Sequence, residues 1–423
     1  MSSRAQRGIC SFAVPLLVAA CYEQPVVPRA AVPTLDDPTT GSYIAVSAGF
    51  EHTCALTTGG TAYCWGSNEF GQLGSAADST CRRDDRNIAC RRRPFPVAGG
   101  LTFLKISAGG RHTCAIATTS RIYCWGDNLR GELGEPSVRS SQVPVPIVST
   151  AAFMDVVTGA EHSCGLRTDG FAFCWGANEN AQLGIGTSGP GTVAPDSVRT
   201  NARFASLAAG SQRTCARAGD GAVFCWGAFW VSTLNGDDIT RAQSNPFRVL
   251  PAPPFKSLAV GTNTTCGIAA QATGIAENSA YCWEANPTGS IGDGTVAGSL
   301  IPRAVLGGLK FVTVSSGAFQ TCAIADSGFA YCWGDGSAGQ LGVSPVFLNT
   351  RCGLGKTPCS ALPIRVSGWR LFSQITAGQG HHSCGLTLTG NVYCWGAGRM
   401  GQRGDGRTSS DWSPVKTASL APL

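Results

Sequence analysis

A cysteine, nine residues, a second cysteine and then a tryptophan recur along this chain. The pattern begins at Cys54, Cys114, Cys164, Cys215, Cys322 and Cys384, and a looser copy begins at Cys266. The second cysteines fall at 64, 124, 174, 225, 282, 332 and 394, a spacing of 50 to 62 residues. Self-similarity at that period points to a solenoid or a propeller rather than to one conventional core. Each unit holds four short β-like segments. One carries Pro and Val ("PIRVSG"), the next alternates and ends in Ala-Gly ("LKISAGG"), and "HTCAI" and "IYCWG" follow. A linear solenoid would need polar capping repeats, and none is seen in the sequence. The expectation is an all-β, seven-bladed β-propeller with four-stranded blades over residues 42–423, rich in turns, as the 55 glycines and 14 % charged residues suggest.

The spacing of the cysteines has a local explanation. Centring "CGLRTDGFAFC" on the loop Thr168-Asp169-Gly170 gives a three-residue hairpin whose αL position falls on Gly170. Gly60, Gly221, Gly328 and Gly390 fill the same place, and Ser120 is the exception. In that register Arg167 faces Phe171 and Cys164 faces Cys174. Counting in from the closing pair, this is a non-hydrogen-bonded pair, where the backbones approach closest and lie within disulfide reach. The expected cross-hairpin bonds are Cys54–Cys64, Cys114–Cys124, Cys164–Cys174, Cys215–Cys225, Cys266–Cys282, Cys322–Cys332 and Cys384–Cys394. Two further pairs, Cys81–Cys90 and Cys352–Cys359, would staple insertions. Reduced core thiols are the alternative; a zinc site is disfavoured because the pairs belong to different blades, and no Cys-x-x-Cys redox motif occurs. Of the 20 cysteines, only Cys10 and Cys21 remain.

Those two lie in an N-terminal segment of a different kind. Arg4 and Arg7 precede an apolar run from Ile9 to Ala20, of signal-peptide length. The run ends in "LVAAC", which resembles a bacterial lipobox and implies cleavage before Cys21 and lipid on its sulfur. The expected organisation is a signal peptide over 1–20, a lipid-anchored Pro-rich tether over 21–41, and the propeller over 42–423. The chain would be exported and held on the cell envelope. Tyr22 after the cysteine favours the outer membrane over the inner. Export also supplies an oxidising compartment for disulfides.

The Ala-Gly before His-Thr-Cys, the Trp-Gly, and "GQLG" at Gly71–Gly74 and Gly339–Gly342 resemble the regulator of chromosome condensation repeat family; "GELG" at Gly131 and "AQLG" at Ala181 are variants of the last. The resemblance spans Tyr43 to Val415 and implies a seven-bladed propeller. The family's name-giving members exchange nucleotide on a small GTPase and bind chromatin, so a guanine-nucleotide-exchange-type regulator is one alternative function. Three repeats depart from the pattern. The fourth lacks "GQLG", the fifth has Glu284 in place of glycine, and the seventh inserts one residue before His382. The chain starts on "YIAVSAG" and ends on "WSPVKTA", so the ring is expected to close by pairing of the C-terminal strand with the N-terminal blade.

Few residues suggest a site. His52, His112, His162 and His382 share one repeat position with Arg213, Thr264 and Gln320, which favours hydrogen bonding within the fold over an imidazole site. The tryptophans after each second cysteine suit blade-to-blade packing. Trp230, in "GAFW", and Trp412 break the pattern and are freer. "CRRDDRNIACRRR" concentrates charge. Its net +4 equals the net charge of the chain once Arg4 and Arg7 are removed. It follows one "GQLG", as "CGLGKTPC" follows another. Arg82, Arg83, Arg86, Arg91, Arg92 and Arg93 are therefore binding candidates for acidic groups. No nucleophile elbow, P-loop, zinc-hydrolase helix or paired-carboxylate signature occurs. A non-enzymatic, monomeric binding module is expected, with no cofactor or metal and no nucleic acid. It would recognise a protein or an acidic envelope polymer, and touch the membrane through its lipid alone. A propeller hydrolase or lyase with its site at the tunnel mouth is the other alternative.

Overall fold

In a computed structural model, residues 43–232, 238–348, 350–353 and 356–419 are described, the side chains of 230–232 and 238–240 excepted. They form seven antiparallel sheets, one per repeat. The blades cover residues 43–96, 103–146, 153–197, 204–248, 255–304, 311–365 and 372–416, numbered 1 to 7 below. In each blade the four repeated strands lie in chain order; in blades 1 and 6 an inserted strand, Ser79–Arg83 or Thr350–Cys352, is added beyond the fourth. The innermost strand is the alternating one (Phe103–Ala108 in blade 2). The two cysteine strands follow (His112–Ala117, Ile122–Asp127), and the Pro-Val strand (Ser140–Pro146) is the outermost of the four. The seven inner strands line a central channel with small residues such as Ser47, Ser107 and Thr158. Prolines within the outer strands, among them Pro144 and Pro302, remove donors from edges that could otherwise recruit another strand.

The core lies between the blades. Among the described residues one large apolar cluster lies at each of the seven blade boundaries, shared by the two neighbouring blades. Leu56, Leu73 and Val97 of blade 1, for instance, meet Phe103, Ile106 and Trp125 of blade 2. The tryptophan after the second cysteine is buried in every blade. Phe103 packs on Trp125 at 5.9 Å, and Phe311 on Trp333 at the same distance.

A polar device repeats beside the tryptophans of blades 1, 2, 3, 6 and 7, whereas Trp226 Nε1 in blade 4 is buried without a partner. The Gln72 carbonyl, in the "GQLG" loop of blade 1, accepts from Trp125 Nε1 (3.0 Å) and Thr113 Oγ1 (3.0 Å) of blade 2. Thr113 Oγ1 in turn lies 2.9 Å from His52 Nε2 of blade 1. Because the hydroxyl spends its proton on the carbonyl, it accepts from the imidazole, which fixes the Nε2–H tautomer. His112–Ser163, His162–Thr214 and His382–Thr53 repeat the bond. The Nδ1 atoms of all four rings are buried without a partner. Burial therefore pushes these imidazoles down to about 3.

All nine cysteine pairs are disulfides. In the seven hairpins the cysteines face each other in register, with Cα atoms 4.0–4.1 Å apart. Gly170 has φ 86° and Ser120 φ 62°, so both take the left-handed place in the turn. Each short loop closed this way contributes roughly 2–3 kcal/mol in the chain-entropy account.

The ring closes differently from the expectation. The C-terminal strand, Asp411–Lys416, pairs with Val392–Gly396 of its own blade 7 (Cys394 opposite Val415), not with blade 1. The Pro-Val segment is the end of each repeat rather than its beginning, so the chain already consists of whole blades and leaves no orphan strand. Blades 7 and 1 join as the other pairs do. Tyr43, Val46 and Trp65 share a cluster with Leu386 and Val392, and Trp65 Nε1 donates to the Gln402 carbonyl at 2.9 Å.

The irregular repeats also find their places. A β-carbon at Gly126, which follows Trp125 at φ 109°, would come within 2.5 Å of the Arg111 carbonyl. Glu284 holds the matching position in blade 5 at φ 88° and reaches Arg213, which stands at the histidine position of blade 4. Both side chains are 1 % exposed, 2.5 Å apart. Burial works against both charges and their mutual attraction opposes it. Blade 4, which lacks "GQLG", has instead two long arms, Val223–Ser232 and Asp238–Arg248.

Candidate functional site

Alternation of strand direction sends two connections of every blade to one rim, here called the upper face: inner to second strand, and third to outer strand. Both stapled insertions extend the second kind of connection, in blades 1 and 6. Closure of the ring makes these the two neighbours of blade 7.

In blade 1 the insertion is a hairpin. Ser79–Arg83 pairs with the start of Arg86–Pro96, around a turn at Asp84 and Asp85. Cys81, Ile88 and Cys90 bury against Met400 of blade 7, so the hairpin is docked rather than free. Its six arginines do different things. Arg91 is buried, donates from Nε to the Ala76 carbonyl (2.7 Å), pairs with Asp78 (2.8 Å) and lies over the Phe95 ring. Arg83 pairs with Glu51 and Glu69. These two therefore hold the insertion in place and are not available to a partner. Arg82 and Arg86 are exposed beside Asp85 and Glu69, and Arg92 and Arg93 are exposed on the outer strand. In blade 6, Cys352–Cys359 closes the second hairpin. Ahead of it Leu348 is buried, while Val346 and Phe347 are 83 % and 74 % exposed.

Between the two insertions, over blade 7, lies a pocket of about 510 Å³. Its lining includes Phe50 and Glu51 of blade 1, Pro345 of blade 6, and His381, Arg399, Asp411 and Trp412 of blade 7. Phe50 and Trp412 are each about half exposed. His381 stands at the place of Glu51 and Arg111 in blades 1 and 2, its carbonyl accepting from the Ala397 amide as theirs do from Ser67 and Asp127, and the extra residue of the seventh repeat, Gly380, directly precedes it. His381 takes a left-handed backbone conformation, φ 61°, uncommon for a residue with a β-carbon. Its ring stacks on Phe319 at 5.8 Å. Behind the ring, Gln340 Nε2 lies 3.3 Å from Nδ1, and Asp335 Oδ2 3.6 Å from it. Asp335 accepts from Gln340 Nε2 (2.7 Å) and Ser337 Oγ (2.8 Å). Burial works to raise Asp335, but the interactions with His381 and Ser337 outweigh it and hold the carboxyl below its usual range.

Of the residues singled out in the sequence, Trp412 is at this pocket and the arginine hairpin borders it. Trp230 is in blade 4, opposite Thr240 in the strand register, away from the sector; its side chain lies outside the described residues, as does Cys21. His381 was not singled out; the signal that could have found it is the one-residue insertion directly before it. Among the described residues no group of three or more His, Cys, Asp or Glu could hold a metal ion.

Seven blades built on four repeated strands, five of them carrying this Trp–carbonyl–hydroxyl device, define a repeat propeller. Much of the chain matches the Regulator of chromosome condensation (RCC1) repeat. The matched residues are 43–72, 103–132, 155–182 and 372–402 in one form, and 59–116, 120–166 and 169–217 in another. The chain is 27 % identical to the ultraviolet-B receptor UVR8 of Arabidopsis thaliana over 373 residues, 86 % of this chain and 79 % of that protein. It is 26 % identical to the human E3 ubiquitin-protein ligase HERC2 over 295 residues, which is 67 % of this chain but 6 % of that protein. Among solved structures, Prp20p of Saccharomyces cerevisiae, described with its binding to Gsp1p and histones, superposes with a TM-score of 0.69 at 19 % identity, covering 89 % of this chain and 88 % of that one. Human WBSCR16 gives 0.70 at 16 % identity, covering 85 % and 94 %. Both likenesses concern the fold.

Proposed function

We propose that this propeller is a non-catalytic interaction module that binds a protein on its upper face, over blade 7 and between the two stapled hairpins. The observation that carries this reading is the group of exposed apolar side chains there. Phe50 and Trp412 line the pocket, and Val346 and Phe347 are exposed next in the chain to Pro345 on its wall. Exposed aromatics grouped on a stapled scaffold are what a protein partner buries at the centre of an interface. Relatives of this fold that bind proteins, as Prp20p does, lend it support. An acidic polymer is the weaker ligand, because Arg83 and Arg91 are spent on internal partners. The setting we propose is the cell envelope, with the propeller tethered through lipid on Cys21. Immobilised wild-type chain and a Phe50→Ala, Phe347→Ala, Trp412→Ala variant, each exposed to envelope extract, test the site. A partner retained by the first and lost by the second is expected; equal capture refutes it. Membrane association that survives Cys21→Ser, without fatty-acid labelling of the wild type, refutes the tether.

A further inference from the structure

We propose that the pocket over blade 7 binds a single carboxylate carried on an apolar body, gripped by Arg399 and the outer edge of His381 between Phe50 and Trp412. This rests on the reading of that sector as a binding face, and names what the face grips.

The charges around the pocket are unequally committed. Its acids are engaged from within the fold. Glu51 pairs with Arg83 of the stapled hairpin. Asp411 accepts from the Ser413 amide (3.1 Å) and hydroxyl (3.0 Å), and the buried Arg403 stands 3.5 Å away. Asp335 sits behind His381 with Gln340 and Ser337 on its oxygens. Arg399, by contrast, is exposed, lines the pocket, and has no acid partner among the described residues.

His381 adds a second donor. The Gln340 amide nitrogen gives one proton to Asp335, which fixes its identity as nitrogen, and it points the other way to His381 Nδ1. Nδ1 is then the acceptor in the neutral ring, so the proton is on Nε2. In the imidazolium both nitrogens carry protons and Asp335 faces Nδ1. In either form the partly exposed edge of the ring offers the pocket an N–H. A guanidinium fork and an imidazole N–H match a planar carboxylate. The retained negative charges of Glu51 and Asp411 disfavour a dianion such as phosphate at the same place. Phe50 and Trp412 supply apolar walls for the body that carries the acid. The left-handed His381 backbone is consistent with a residue held in position for contact rather than for packing.

The purified whole chain titrated calorimetrically with four probes tests this. N-Acetylphenylalanine carries a terminal carboxylate. An acetylated, amidated phenylalanyl-aspartate carries a side-chain one. The matching phenylalanyl-asparagine is its neutral twin, and inorganic phosphate is the dianion. At least one carboxylate probe is expected to bind, with the neutral twin and phosphate binding at least about tenfold more weakly. Which carboxylate wins tells a chain end from an acidic side chain. Arg399→Gln and His381→Asn should each weaken that binding about tenfold or more. Asparagine tolerates the left-handed backbone, so the second variant keeps the loop. Equal binding of the aspartate and asparagine peptides, preference for phosphate, indifference to both substitutions, or no carboxylate binding up to about 10 mM overturns the proposal. If partner capture still depends on Phe347 and Trp412 in that event, the binding face stands and the carboxylate falls alone. If carboxylates bind while capture ignores those residues, the protein-binding reading is the one that fails.

Discussion

Replacing His112 by glutamine should make the propeller relatively more stable in acid than at neutral pH. His112 is fully buried between blades 2 and 3. It donates from Nε2 to Ser163 Oγ at 2.8 Å, and its Nδ1 has no partner. Burial, with a smaller push from His162, holds it down to about 3, against 6.5 for an ordinary imidazole. With the folded value depressed, the unfolded chain binds the proton first. No stability is lost above pH 6.5, and stability falls as pH drops from there toward 3. The slope is about 1.4 kcal/mol per pH unit, so between about pH 7.5 and pH 4.5 one such histidine costs about 2.7 kcal/mol. Glutamine does not titrate, and Gln320 already serves at this position in blade 6, donating to the Gly378 carbonyl at 3.1 Å. Glu132 and Glu284, both pushed up to about 7 by burial, work in the opposite direction, being stabilising at low pH and less so as pH rises through 7. They are common to both proteins and drop out of the difference. Denaturant unfolding followed by tryptophan fluorescence at the two pH values, for wild type and variant, measures it. Stability differences that are the same at both pH values would show that His112 is protonated in the folded ring or that the ring opens locally to admit the proton, and would refute the argument.

Glu284→Gly alone should cost about 3–5 kcal/mol by leaving Arg213 charged and buried, and adding Arg213→His should recover most of it, since histidine holds this position in blades 1, 2, 3 and 7 against a glycine of the next blade; a cycle of the four proteins with no coupling would sink this. Arg91→Ser should destabilise by about 2 kcal/mol through loss of its bonds to Ala76 and Asp78, whereas Arg92→Ser with Arg93→Ser should stay within about 0.5 kcal/mol; thermal melts separate the two. Truncation before Asp411 should lift hydrogen-exchange protection from residues 392–396 while leaving 44–46 protected, the reverse of what pairing with blade 1 would give. Peptide mapping without reduction should recover all nine cysteine pairs, and a free thiol at any of them contradicts the hairpin register.

What was legible in the sequence was whatever repeats. Period, strand count and hairpin register all follow from local rules that seven copies state seven times. The Cys164–Cys174 pairing needed only a turn glycine and a count. The phase of the repeat was not legible in the same way. Pro414 marks "WSPVKTA" as an edge strand, but the sequence does not say whether such a segment ends one blade or begins the next, because in a repeating chain it lies between two blades either way. Only the burial of the alternating strand around the channel decides it. Likewise a run of six arginines reads as one charged loop. Whether Arg91 turns inward depends on the space beside Phe95 and Ala76, which belongs to the blade and not to the run.

The site was legible in pieces that lacked a common address. Several departures from the repeat were visible: an insertion in repeat 1, the missing "GQLG" of repeat 4, Glu284 in repeat 5, an insertion in repeat 6, and one extra residue in repeat 7. Along the chain they are scattered, with Cys81 near one end and Gly380 near the other. In a closed ring repeats 6, 7 and 1 are consecutive, so both disulfide-stapled insertions and the extra residue fall in one sector and on one rim, because each lengthens a connection that emerges there, while the arms of blade 4 and Glu284 of blade 5 lie outside it. Packing cannot explain that coincidence. The same blade-to-blade core forms in the sectors without insertions, with Trp125 on the Gln72 carbonyl as Trp65 is on the Gln402 carbonyl. A feature that the core does not require, is stapled twice by disulfides and is gathered on one side of a ring is better explained by what meets it from outside.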